Sequence, residues 1–144
     1  MSSSLDMSKF DARIAHAIAQ LSNQARRQML ADIGKYLRTA NQQRMAAQKS
    51  PDDASWAKRK GSGSASGPMF KKLRSSSHLK LRQQSDGLKL GWSGQVGAIA
   101  RIHHYGLSQR LAYGTAKYAA RELIGITAAD TEAIRSIIIE QIGR

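Results

Sequence analysis

The sequence predicts an α+β fold with a long N-terminal amphipathic helix, a small antiparallel β-sheet and a C-terminal helix. Three observations support this order. Apolar residues recur every three or four positions near the start, apolar and basic residues alternate around an Asp-Gly pair in the middle, and a capping sequence precedes a run of isoleucines near the end. The length of 144 residues and the hydrophobic fraction of 41% favour a single domain, residues 1–144, with one modest core.

The first long segment has the periodicity of an amphipathic helix. Its apolar stripe runs from Phe10 to Ala40, Ser8 is placed to cap it, and Ser50-Pro51 is placed to stop it after about Gln48. A helix of that length would reach roughly 60 Å, which exceeds what a small core covers. Either Gly34 marks a break or one end projects toward another subunit.

A flexible basic loop is predicted at about residues 57–76. Its centre, Gly61–Pro68, consists of glycine, serine, one alanine and one proline. Such residues bury too little apolar surface to offset the entropy of ordering them. We therefore expect mobility here, and we expect trypsin to cut first after Lys58, Arg59 or Lys60.

The middle of the chain predicts a sheet of about three to four strands. Apolar and basic residues alternate in 79–82 and again in 88–92, on either side of Ser85-Asp86-Gly87, which is a hairpin signal. The segment 96–103 is the third predicted strand. One face of the sheet is expected to carry basic side chains and the other to pack on the N-terminal helix. The basic face comprises Lys80, Arg82 and Lys89.

The end of the chain predicts a second amphipathic helix. Thr127 and Asp130 have the spacing of a capping box, and Ile134, Ile137, Ile138 and Ile142 follow at helical intervals.

The net charge of +13 is concentrated in one part of the chain. Between Lys58 and Arg121 there are thirteen lysines and arginines against one acid, Asp86. This excess indicates a polyanionic neighbour. Nucleic acid is one such neighbour, and an acidic partner protein is another. The candidate DNA-facing or partner-facing residues are Lys58, Arg59, Lys60, Lys71, Lys72, Arg74, Lys80, Arg82 and Lys89.

Nothing in the sequence supports an enzyme, and no catalytic, metal or cofactor site is predicted. The chain has no cysteine, and its serines lack a nucleophile-elbow context. The adjacent His103 and His104 would point to opposite faces of the predicted third strand, which disfavours a shared metal ion. Both tryptophans, Trp56 and Trp92, are expected to anchor a core or an interface. No apolar stretch approaches the roughly 20 residues of a membrane helix, so no membrane partner is expected.

Three stretches, in order along the chain, resemble the phage virion morphogenesis proteins, the tail-completion family of Mu-like and related contractile-tailed phages. Residues 51–56, Pro-Asp-Asp-Ala-Ser-Trp, are similar to that family's Pro-Asp-Gly-x-x-Trp turn. Residues 99–106 resemble its Ala-x-x-His-Gln-aromatic-Gly strand end, and residues 119–127 its Ala-Arg-x-Leu-Leu-Gly-Leu-Ser start of the last helix. Asp53, His104 and Glu122 depart from the usual family residues.

The resemblance implies a non-enzymatic virion component that acts in tail completion or head-to-tail joining, at the neck or the top of the tail, and is assembled in the host cytoplasm. It also implies a homo-oligomeric ring, with six subunits because contractile tails are sixfold. Expected partners are other copies of the chain, tail-terminator or connector proteins, and genomic DNA in the lumen of the ring. The alternative is a small basic nucleic-acid-binding protein. The motif residues expected to be structural are Pro51, Trp56, His103, Gly106, Ala120, Arg121, Leu123 and Gly125.

Overall fold

The computed structural model describes residues 12–59, 67–84 and 87–144. Within these ranges the elements are, in order, α1 (Ala12–Ala19), α2 (Asn23–Ala46), β1 (Lys80–Gln84), β2 (Gly87–Gly91), α3 (Gly94–Tyr105), β3 (Ser108–Leu111), β4 (Gly114–Lys117) and α4 (Ala128–Ile142). The α+β class is confirmed. None of the helices in the described ranges is long and apolar enough to cross a membrane.

The predicted long N-terminal helix is confirmed in part, as α2, because the chain is interrupted between α1 and α2. Ser22 adopts extended backbone angles, and its side chain accepts a hydrogen bond from the N–H of Ala25, so it caps a new helix. Gly34 does not mark the break and lies inside α2. A Cβ atom added there would come within 2.5 Å of Leu81, so this glycine instead lets the hairpin approach the helix. The predicted cap Ser8 lies outside the described residues.

The first hairpin is confirmed. Strands β1 and β2 pair antiparallel, with Arg82 opposite Lys89 and Leu81 opposite Leu90. Alternation then places the basic side chains on one face and the leucines on the other. Leu90 is fully buried, and Leu81 packs toward α2, as predicted.

The predicted third strand, Val96 to His103, is wrong. This segment lies inside α3, which begins after Ser93 and ends at Gly106 in a left-handed cap with φ of 65°. Val96, Ile99 and Ile102 are three residues apart, which is a helical interval that matches α3 better than a strand.

A second hairpin follows α3, so there are two separate two-stranded sheets in the described residues and not one sheet. Strands β3 and β4 pair from Ser108 opposite Lys117 to Leu111 opposite Gly114. Most of their residues are exposed, and Tyr113 at the turn is 92% exposed.

The C-terminal helix α4 packs against α2 through a buried ion pair. Asp130 completes the predicted capping box with Thr127, and its carboxylate also accepts hydrogen bonds from Arg44 and Tyr36. The Arg44–Asp130 distance is 2.9 Å, and the side chain of Asp130 is only 2% exposed. Asn41 on α2, also fully buried, accepts a hydrogen bond from the N–H of Gly125 just before α4. Helix α4 begins at Ala128, directly after the predicted cap Thr127, where the motif of residues 119–127 ends.

Candidate binding site

The three motif stretches converge on one another in space. The connector between β4 and α4, residues 118–127, lies against both of the other two. Trp56 is buried, and its indole Nε1 donates a hydrogen bond of 3.0 Å to the carbonyl of Glu122. A Cβ atom added at Gly125 would lie 2.6 Å from Pro51, so the first motif packs directly on the third.

The second motif is joined to the same connector at the end of α3. A Cβ atom added at Gly106 would lie 2.6 Å from the backbone nitrogen of Ala120. The backbone N–H of Arg121 donates to the carbonyl of His103 at 2.9 Å. Leu123 is 1% exposed, and its N–H donates to Nδ1 of His104. The motif residues therefore make the packing contacts that hold the connector in place.

Beside this junction lies a pocket of about 410 Å³. Four stretches of chain form it: the residues after Trp56, the start of the segment before β1, the end of α3, and the end of β4 with the connector. Its lining residues are Ala57, Lys58, Arg59, Met69, Phe70, His103, Lys117, Tyr118, Ala119 and Arg121. We call it the basic pocket, because four of the ten residues are lysine or arginine and none is acidic.

Three rings in contact line the floor of the basic pocket. His103 lies between Phe70 and Tyr118, with centroid distances of 4.8 Å to each, and Phe70 also meets Trp56 edge-on at 5.5 Å. Phe70 has a φ of 61°, a left-handed conformation that costs a bulky residue about 1–3 kcal/mol. Gln48 helps to hold this backbone, since its side chain accepts from the N–H of Met69 and donates to the carbonyl of Met69.

Arg121 is the buried cation of the basic pocket. It is 7% exposed, and its Nε and Nη2 donate to the carbonyls of Ala57 and Lys58 at 2.7 and 3.1 Å. Burial, and then the nearby charge of Arg59, lower the pKa of Arg121. Among the described residues no carboxylate forms an ion pair with it. Arg44 differs from Arg121 in this respect, because Asp130 balances its charge.

Both histidines of the second motif favour the neutral form. Burial, and then the charge of Arg121, lower the pKa of His103. Burial is also the largest influence on His104, whose pKa is lowered although Glu122 opposes the shift. The Nδ1 atom of His103 is buried and has no hydrogen-bond partner in the described part of the chain. No group of three His, Asp or Glu residues that could hold a metal ion occurs within residues 12–59, 67–84 and 87–144.

The basic residues predicted from sequence do not form one site. Lys58 and Arg59 line the basic pocket, whereas the predicted basic face of the hairpin lines a smaller depression of about 150 Å³. Lys71 and Lys72 are exposed in the turns before β1, and Arg74 there is half-buried. Lys60 lies outside the described residues. Flexibility of 57–76 stays a prediction, although Met69 and Leu73 within it are buried.

Sequence reasoning missed Phe70, Lys117 and Tyr118, because their segments come together only in the folded chain. The left-handed backbone at Phe70 has no sequence signal. Arg121 was expected from the family motif as a structural residue, and it is also the buried cation of the basic pocket.

Comparisons with known proteins cover nearly the whole chain. A family model described as the phage virion morphogenesis family matches residues 5–143. The chain is 32% identical over 148 aligned residues to tail completion protein S of Escherichia phage P2, covering 96% of this chain and 99% of that protein. No solved structure matches.

Proposed function

Because this chain belongs to the phage virion morphogenesis family, we propose that it is a structural virion protein that acts in tail completion. The observation that carries the proposal is the end-to-end similarity to a tail completion protein. The packing of the three motif stretches supports it, because their residues form a structural junction.

The finer proposal is a homo-oligomeric ring, most simply of six subunits, at the neck or the top of the tail. Large apolar side chains on the surface favour contacts with other subunits, since their burial in a ring would remove apolar area from water. The exposed residues are Ile99, Tyr105, Leu111, Tyr113 and Ile139. Tail-terminator or connector proteins would lie above and below such a ring.

Genomic DNA passing through the lumen of that ring is the proposed source of the polyanionic environment. The exposed face of the first hairpin supports this, because Lys80, Arg82 and Lys89 project from it without an acidic partner among the described residues. The same face favours the second candidate, a small basic nucleic-acid-binding protein. A binder of that class loses affinity steeply as salt rises, because each phosphate contact releases counterions.

The test is complementation in the phage that carries this gene. Deletion of the gene should leave heads and incomplete tails that do not join, and the wild-type gene supplied on a plasmid should restore infectious particles. A deletion that still yields normal particles would contradict a role in tail completion.

Two variants of the plasmid-borne gene sharpen the complementation test. Lys80→Gln combined with Lys89→Gln reduces the positive charge of the hairpin face. If this variant fails to restore infectious particles, a charge-dependent role of that face is favoured. His103→Gln should retain function because glutamine keeps hydrogen-bonding capacity. If His103→Gln abolishes infectious particles while the protein still folds and assembles, then His103 has a chemical role and the structural assignment is wrong.

A further inference from the structure

The basic pocket carries a positive charge that no acidic residue in the described part of the chain neutralises. Lys58, Arg59, Lys117 and Arg121 line it without any acidic residue. Residues 57–59 and 69–70 form two of its walls, and the sequence from 57 to 76 contains no aspartate or glutamate. A buried cation such as Arg121 destabilises the protein when it has no counter-charge. We therefore expect an anionic group of another molecule to bind in the pocket.

Arg121 is also positioned for an anionic contact. Its Nε and Nη2 are used by the two backbone carbonyls, and its Nη1 makes no hydrogen bond within the described residues. A guanidinium has five N–H groups, so two on Nη1 and one on Nη2 remain for an anionic group. Lys58 and Lys117 are exposed and line the same pocket, where they add positive charge beside Arg121.

The floor of the pocket favours a polypeptide over a nucleic acid. Neighbouring rings meet at angles of 55° to 73°, and His103 is covered on two sides by Phe70 and Tyr118. Rings inclined to one another in this way do not share one flat platform on which successive bases could stack. The phosphate backbone of a duplex would bring no apolar group to Met69 and Phe70, whereas a leucine or phenylalanine side chain would fill this space.

We propose that the basic pocket binds an acidic segment of a partner protein, with a carboxylate beside Arg121 and an adjacent apolar side chain on Phe70 and Met69. This contact goes beyond tail completion and does not depend on the ring. The cations at the rim attract the acidic segment, and the apolar floor selects its neighbouring side chain.

A binding titration with defined probes tests the proposal on the full chain. The probe is a fluorescein-labelled octapeptide of alternating glutamate and leucine, and its matched control has glutamine in place of glutamate. We expect the glutamate peptide to bind at least tenfold more tightly. The rim variant, Arg59→Gln with Lys117→Gln, should weaken it at least tenfold, whereas Lys80→Gln with Lys89→Gln removes the same charge elsewhere and should change it less than twofold.

Arg121 is left unchanged in these variants, because its bonds to Ala57 and Lys58 also support the fold. Phe70→Leu keeps an apolar side chain and should weaken the glutamate peptide several-fold without abolishing binding. Circular dichroism and thermal unfolding establish that each variant is folded before its affinity is compared.

Four outcomes would overturn the proposal. The first is equal binding of the two peptides, and the second is no detectable binding of either. The third is competition by a 20-base-pair duplex, lost in the rim variant, which would assign the pocket to nucleic acid. The fourth is self-association of the wild-type chain that the rim variant abolishes, which would assign the pocket to a second copy.

Discussion

Individual backbone conformations explain why certain residue types occur in the motifs. Asp53 has a φ of 70°, in the left-handed region where glycine is the least strained residue and aspartate is better tolerated than most. The family that the sequence resembles usually has glycine at this position, and aspartate can adopt the same backbone conformation, so the turn is preserved. Gly106 has a φ of 65° and also touches the connector, so two independent constraints apply to it.

Gly106→Val is expected to destabilise the fold by more than about 1 kcal/mol. The new Cβ would meet the backbone nitrogen of Ala120 at 2.6 Å, in addition to the strain of the left-handed conformation. Urea denaturation of wild type and variant measures the difference in the free energy of unfolding. Gly87→Val is the control, since nothing lies within 4 Å of a Cβ at that position. Equal stability of the Gly106 variant and wild type would show that the cap can rearrange at no cost.

The half-buried His103 and His104 predict a loss of stability in mild acid. Burial lowers the pKa of His103 and His104 in the folded chain below the ordinary value of 6.5. As the pH falls through 6.5, the unfolded chain therefore takes up protons before the folded chain does, and stability declines until the folded histidines also titrate.

The variant His103→Gln with His104→Gln should lose less stability than wild type between about pH 7.5 and pH 5. Denaturant unfolding at both pH values measures the loss, with the exposed His16→Gln as the control. Asp130, whose pKa is lowered by Arg44, Thr127 and Tyr36 despite burial, contributes stability that is lost at still lower pH, below 3.8. Identical losses in the double variant and wild type would exclude the histidines as the cause.

At the scale of elements, the sequence was informative where one face of an element is buried. The first hairpin alternates because its leucines face α2, and α4 begins with a capping box that local spacing reveals. The second hairpin gave no such signal, since almost all of its residues are exposed and no alternation is required. The sequence pattern gave no sign of the helix break at Ser22, because the apolar stripe continues up to it. Ile14, Ile18 and Leu21 all pack against the core.

The α2–α4 pairing predicts a large effect of Asp130→Ala. The change leaves the half-buried Arg44 without its counter-charge and removes one half of the capping box, so we expect a loss of about 3 kcal/mol. Thermal and urea unfolding measure it. Glu140→Ala on the same helix is the control, because its pair with Arg144 is exposed on both sides and should be worth less than about 1 kcal/mol. Similar losses in the two variants would mean that the buried pair adds nothing beyond a surface one.

At the scale of the whole molecule, the basic pocket shows where sequence reasoning stops. Its residues come from segments separated by up to 64 positions, as in the bond from Arg121 to Ala57. The excess of positive charge was visible in the sequence. Its division between the hairpin face and the pocket depended on the tertiary structure.

Ring formation is the prediction that belongs to this scale. Light scattering of the purified protein at high concentration should give a mass near six times the 15.8 kDa of the chain. The second condition is assembly in the presence of purified tails. Ile139→Glu with Ile99→Glu places charge on two exposed apolar positions and should shift the mass toward the monomer. A strictly monomeric wild-type chain under both conditions would contradict the ring.

The pairing of Arg44 with Asp130 also has a consequence during translation. The two residues are 86 positions apart, so α2 leaves the ribosome well before the helix that covers it. At roughly 5–20 residues per second, the delay is about 4–17 seconds. During this interval the apolar face of α2, with Ile33 and Leu37, lacks one of its partners and is a target for chaperones. The chain therefore completes its core only near the end of its own synthesis.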